Sequence, residues 1–251
     1  MRLAKHIIDN LIAKLTETVH KKDGSKIVCL ACGKRSAQHS FFSQQLCNHC
    51  ANDIPWIMKH VCEFCGRVQA CTDCTERLRA NGQVLHKNRS AVQYTPTMKK
   101  WLASYKFRGD ERWASIFAEM MWLTWQTQMD TPIDIITYVP TSKERAIERS
   151  FNQSERLASL LSERSNIPVM PLLCRLQNGD KQSMKSRTER LSIEHAVFGF
   201  NSQALGQWKQ KSLRVLIIDD VYTTGTTLHA CAKCLHEIAD IRCYGLTWAR
   251  S

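Results

Sequence analysis

The sequence predicts an α/β protein, a parallel sheet with helices on both faces, preceded by a small cysteine-rich module. Three observations predict it. From about residue 90 onward, short apolar runs alternate with helical patterns, as in parallel sheets covered on both faces. One such run, 215–218, leads straight into two aspartates and a hydroxyl-rich turn around Gly225. Ahead of these, eight cysteines stand in four consecutive C-x-x-C pairs between Cys29 and Cys74, a spacing suited to metal knuckles.

A chain of 251 residues accommodates one large domain or one domain plus a small module. The expected division is an amphipathic helix over 1–25, the cysteine module over 26–88 and the sheet domain over 89–251. Hydrophobic and charged fractions of 43% and 23% are those of a globular protein and exclude a disordered chain. No apolar run approaches the length of a membrane span. Asp9, Asn10 and Lys14 interrupt the N-terminal apolar residues, which argues against a signal peptide and for a cytoplasmic location. Of the twelve cysteines, the eight in C-x-x-C pairs between Cys29 and Cys74 point, in that reducing compartment, to metal rather than disulfides. The formal charge is +12, and eight thiolates on two Zn²⁺ would bring it to about +8. The remaining positive charge suits a polyanion such as nucleic acid, and it also serves solubility.

The first helix gathers Leu3, Ile7, Ile8, Leu11, Ile12, Leu15 and Val19 on one face, with Lys5, Lys14, Lys21 and Lys22 opposite. Packing on its own protein or on a second copy is favoured over a membrane surface. Cys29, Cys32, Cys47 and Cys50 have the spacing of a closed tetrahedral Cys₄ zinc site, structural because it leaves no open position. Cys62, Cys65, Cys71 and Cys74 form a second set, with only five residues between its pairs. One or two Zn²⁺ are expected, and a crossed pairing stays open. Lys34, Arg35, His39, His49, Lys59 and His60 lie among these cysteines, so the module is either a nucleic-acid contact or a staple for a region too small to build its own core.

In the remainder, 91–95 reads as a strand, and Met98, Trp101, Leu102 and Tyr105 mark one helix face. A second helix covers 113–128 and an apolar strand 133–139. Then come a helix over 153–165, a strand-like run at 169–173, the strand at 215–218, a helix over 226–239 and a last strand at 243–248. Cys231 and Cys234 fall inside a helix and read as core thiols, as do Cys174 and Cys243 in strands or core. Two basic stretches are candidate contact regions. Where the first helix of the sheet domain ends, Lys106 and Arg108 are candidates for nucleic acid. The polar stretch 177–190 carries Lys181, Lys185, Arg187 and Arg190 and reads as a long loop, either closing over a site or simply solvated.

The stretch 215–228 carries the most chemistry. Ligands of open α/β sheets bind at the carboxyl edge of the strands. A tight turn opening a helix aims backbone N–H groups at one point, which suits phosphate. Gly225 permits the close approach, and Thr223, Thr224, Thr226 and Thr227 offer hydroxyls. Asp219 and Asp220 suit ribose hydroxyls, directly or through Mg²⁺. The segment resembles the phosphoribosyl-pyrophosphate (PRPP) motif of type I phosphoribosyltransferases, which is specific for that fold and less so for activity.

Across most of its length the chain resembles the ComF family, which has a competence branch and a GntX-like branch. Residues 105–109, Tyr-Lys-Phe-Arg-Gly, look like its Lys-Phe-x-Gly segment. Val139-Pro140 and the run Arg149-Ser150-Phe151-Asn152-Gln153 look like its Val-Pro and Arg-Gly-Phe-Asn-Gln elements, with Ser150 in place of glycine. Arg175, Gln182, Glu189 and Arg190 follow its polar loop. The resemblance implies a cytoplasmic bacterial protein that handles single-stranded DNA during natural transformation, with competence or recombination proteins as partners. By the same analogy Asp219 and Asp220 hold ribose hydroxyls or Mg²⁺, residues 223–227 hold the 5′-phosphate, and Arg149 with the polar loop approaches pyrophosphate. Three functions are therefore carried forward: DNA handling with a PRPP-like ligand, an active phosphoribosyltransferase with an unknown acceptor, and a non-catalytic PRPP sensor.

Overall fold

The computed structural model describes residues 26–40, 42–69, 71–75, 83–107, 110–141, 151–176, 197–205, 212–236 and 240–251. The expected helix over 1–25 and most of the polar loop lie outside them. The cysteine region starts with a small antiparallel hairpin, β1 (Ile27–Val28) and β2 (Arg35–Ser36), followed by the short helix α1 (Asn48–Asn52). Next come β3 (Leu85–Gln93), α2 (Pro96–Phe107), α3 (Arg112–Gln128), β4 (Ile135–Tyr138) and α4 (Gln153–Ser165). After a two-stranded hairpin of β5 (Leu173–Arg175) and β6 (Phe198–Phe200) come α5 (Ser202–Leu205), β7 (Leu213–Tyr222), α6 (Thr226–His236) and β8 (Ile241–Arg250).

The main sheet has the order β3-β8-β7-β4, and each neighbouring pair is parallel. The alternation of β7 explains the two-sided burial. Leu216 and Ile218 join the core under α2, α3 and α4, where Phe117 stacks on Trp248 at 3.9 Å. Val215 and Ile217 face the other way, into a core closed by Leu228, Cys231, Ala232 and Leu235 of α6. The expected helix face of Met98, Trp101, Leu102 and Tyr105 is buried, as are Cys231 and Cys243.

The differences from expectation have physical causes. The strand expected at 91–95 begins at Leu85 and ends at Gln93, so it also runs across the boundary expected between 88 and 89. Its early half is polar, yet Asn88, Arg89 and Ser90 are buried: the cysteine region hydrogen-bonds Asn88 and Arg89, and the Ser90 hydroxyl bonds that of Thr247 on β8. At 169–173 the pairing with the main sheet is a single parallel bridge, Val169 with Ile136, and the chain then leaves to form β5 from Leu173. Helix α4 has the expected limits. The Asn152 side chain caps it by accepting from the N–H groups of Ser154 and Glu155, and left-handed Asn166 ends it.

Candidate functional site

Strand β7 does not stop before the aspartates. It continues through Asp219 and Asp220 to Tyr222, so both carboxylates are held on a paired strand beside β8. The turn that follows needs Gly225. Its φ is +81°, and an added Cβ would lie 2.1 Å from the Tyr222 hydroxyl. The Thr224 and Thr226 hydroxyls are 2.8 Å apart, and the Gly225 carbonyl accepts from the His229 N–H at 2.9 Å. Thr223, Thr224, Thr226 and Thr227 are exposed at the start of α6.

Asp219 Oδ1 accepts from the Asp220 N–H at 2.9 Å and from the Ser154 hydroxyl at 3.1 Å. Asp220 forms an ion pair with Lys106 from the last turn of α2. Burial, and then the neighbouring Asp220 charge, push the Asp219 carboxyl up to about 7, against the opposing pull of Lys106 and Ser154. Two adjacent carboxylates, one of them poorly ionised by itself, form a pair that a divalent cation would relieve.

Ser154 and Asn152 were not read as site residues. Asn152 Nδ2 donates to the Val139 carbonyl at the end of β4, so one cap fixes both the helix start and the strand end beside Asp219. The pattern Asn152-x-x-Glu155 at a helix start was a signal that could have found them. Tyr105 supports the same corner by donating to the Gln153 carbonyl at 3.1 Å. Lys106, Asp219 and Asp220 are thus brought together with the loop of 223–227. Arg108, Arg149, Lys181, Lys185, Arg187 and Arg190 lie outside the described residues.

The cysteines group as consecutive pairs rather than crossed ones. Cys29, Cys32, Cys47 and Cys50 place their sulfurs within 4.8 Å of one another, and so do Cys62, Cys65, Cys71 and Cys74. The Cys32–Cys47 and Cys65–Cys71 sulfurs lie 4.0 and 3.7 Å apart, close to the ~3.8 Å edge of a tetrahedron with metal–sulfur bonds of about 2.3 Å. Both sets use the same knuckle turn. Gly33 and Gly66 have φ near +70°, and their N–H groups donate to the Cys29 and Cys62 carbonyls at 2.8 and 2.9 Å. Burial opposes ionisation of these thiols. It pushes Cys65 up to about 11, while at Cys29 backbone N–H donors from Cys47, Cys32 and Ala31 outweigh it and bring the thiol down to about 7. Four such groups in one cluster fit a bound metal ion.

The second cluster is fused to the sheet. Arg89 of β3 is buried, and its guanidinium donates to the Glu63 carbonyl at 2.9 Å and to the Glu63 carboxylate at 3.1 Å. Arg250, at the end of β8, donates to the Cys65 carbonyl at 3.1 Å, and its guanidinium carbon lies 4.5 Å from the centre of the Tyr222 ring.

Competence protein ComFC of Bacillus subtilis is 34% identical to this chain over 227 residues, which is 84% of this chain and 90% of that protein. The chain belongs to the ComFC family. Competence protein ComFC of Streptococcus pneumoniae is 27% identical over 230 residues, covering 87% of this chain and 98% of that protein. Competence protein F of Haemophilus influenzae is 22% identical over 231 residues, covering 88% and 90%. No family model matches the chain. Similar solved structures include an adenine phosphoribosyltransferase from Leishmania tarentolae, at TM-score 0.31 and 15% identity over 56% of this chain and 58% of that one. A purine phosphoribosyltransferase from Pyrococcus horikoshii has TM-score 0.29 and 17% identity over 55% of this chain and 88% of that one. Among the described residues, no helix of this ComFC-family chain is long and apolar enough to cross a membrane.

Proposed function

We propose that this protein handles single-stranded DNA in the cytoplasm during natural transformation and binds PRPP with Mg²⁺ at the carboxyl edge of its sheet. The observation that carries the ligand half is the juxtaposition of Asp219 and Asp220 with the Gly225 turn at the head of α6. The aspartates would hold ribose hydroxyls or Mg²⁺, and Thr223, Thr224, Gly225, Thr226 and Thr227 the 5′-phosphate. Arg149, Arg108, Lys181, Lys185, Arg187 and Arg190 are proposed for pyrophosphate or DNA. The two cysteine clusters are proposed to hold structural Zn²⁺, because thiolate sets of this geometry suit that ion. The DNA half rests on the competence relatives and on the formal charge of +12.

A second reading is supported by the intact loop: transfer of the phosphoribosyl group to an acceptor, with release of pyrophosphate. In such transfer the chain's part is to position the group and stabilise the leaving charge, so no protein nucleophile is required. The deciding experiment measures Mg²⁺-PRPP binding by calorimetry and pyrophosphate release in the presence of nucleobases or single-stranded DNA. The control is Asp219→Ala/Asp220→Ala. Binding lost in the control supports the site, and acceptor-dependent release lost with it makes the protein an enzyme. PRPP binding that survives the double substitution would sink the assignment. DNA affinity should fall steeply with salt, and no binding at low salt would sink the DNA half.

A further inference from the structure

At the carboxyl edge of the sheet lies a cavity of about 460 Å³, within the roughly 300–1,000 Å³ range of small-molecule sites. The carboxyl ends of β3 and β8 supply Gln93, Tyr94 and Arg250. Arg67, Val68 and Gln69 also line it, and these fall inside the five-residue loop between Cys65 and Cys71 of the second cluster. The two arginines of the lining are already anchored. Arg67 is paired with Asp73 at 3.3 Å, and Arg250 is held by the Cys65 carbonyl and the Tyr222 ring. The other polar side chains of the lining are neutral. Two exposed carboxamides, Gln69 and Gln93, each offer donors and an acceptor, and they stand beside the half-buried Tyr94 ring. Arg250 is buried, and its Nε has no hydrogen-bond partner among the described residues.

We propose that this cavity is a second ligand site that takes a nucleobase, free or carried on a single strand. Its edge is read by Gln69 and Gln93, and its ring lies against Tyr94. Base edges combine donors and acceptors as carboxamides do, and aromatic rings stack on any base. The site reaches the phosphate-loop turn through one residue. Tyr222 carries the Arg250 guanidinium on its ring and accepts the Ser251 N–H on its carbonyl at 3.0 Å, while its hydroxyl packs against Gly225. A base held here is therefore linked to the proposed PRPP site through Tyr222. A role as acceptor rests on the PRPP reading, but base binding does not.

The test compares the metal-replete wild type with Gln69→Ala/Gln93→Ala, whose exposed side chains can be removed without disturbing the core. Equilibrium dialysis is run with each free nucleobase, with an eight-nucleotide oligothymidylate and with its fully abasic counterpart. PRPP binding is measured in parallel. The expected result is base or oligothymidylate binding by wild type that falls at least tenfold in the variant, with the abasic strand bound weakly by both and PRPP unaffected. Binding of free bases identifies a small-molecule site, and binding of the oligonucleotide alone identifies a strand site. Equal binding by variant and wild type, equal binding of the abasic strand, or PRPP binding without any base binding overturns the proposal. Base binding without PRPP binding keeps it and removes the PRPP reading instead.

Discussion

Lys106, in the last turn of α2, is ion-paired with Asp220 on β7, while the adjacent Asp219 is held by Ser154 at the start of α4. Three elements thus meet at one carboxylate pair. Lys106 offsets part of the charge of that pair, and Mg²⁺ at the proposed site would have to compete with it.

Lys106→Met removes a cation that favours the charged form of Asp219, and Ser154→Ala removes a hydrogen bond with the same effect. Each substitution should move the pH midpoint of Mg²⁺-PRPP binding upward from the neighbourhood of 7. Calorimetry between pH 5.5 and 9 reads the midpoint. An unchanged midpoint in both variants would show that Asp219 does not govern binding.

Asp219 also links stability to pH. Its carboxyl is raised to about 7 in the folded protein, against about 3.9 in an unfolded chain. The folded state therefore binds the extra proton. The stabilisation is fully present below about pH 4 and is lost as pH rises through 7, with an upper bound of about 4 kcal/mol. Asp219→Asn removes this dependence. It should melt above wild type at pH 8 by several degrees, with the gap closing towards pH 5, while losing the stabilisation that Mg²⁺-PRPP gives wild type. A gap independent of pH would assign the effect to packing.

The two halves of the site were legible to different degrees. The Asp219–Thr227 loop is local, and its chemistry stands in consecutive residues. The carboxyl half of β7 was missed because aspartates end an apolar run, although the ladder to β8 continues past them. Ser154 and Lys106 reach the aspartates from elements distant in the chain, which no periodicity reveals. The polar start of β3 was missed for the same reason: Asn88 and Arg89 pair with β8 and take further hydrogen bonds from the cysteine region, which lies far away in the chain.

The two cysteine clusters should titrate as independent metal sites. The protein as isolated should carry two Zn²⁺ per chain by elemental analysis. Cys47→Ser should remove one without affecting the other, and Cys71→Ser should remove the second alone. In a crossed arrangement, with alternate pairs sharing a metal, Cys47 and Cys71 would ligate the same ion, and the double variant would keep one Zn²⁺ instead of none.

Arg89 ties the second cluster to the sheet, and its geometry cannot be met by lysine. Its guanidinium donates to the Glu63 carbonyl and carboxylate and to the Asn88 carbonyl, and it also lies 2.8 Å from His60 Nε2. These directions require a planar fork, whereas an ammonium on a shorter stem reaches fewer of them. Arg89→Lys leaves some of these acceptors unpaired, the buried Asn88 carbonyl among them, at a cost of about 1–3 kcal/mol, read as a lower urea midpoint with the zinc content kept at two. Arg89→Met, which removes the charge altogether, distinguishes packing from polar satisfaction. If methionine is tolerated better than lysine, the buried charge is itself the burden. If both fall equally, the lost hydrogen bonds to the 60–66 loop are the cause, and that loop should then become the first site of proteolytic cleavage.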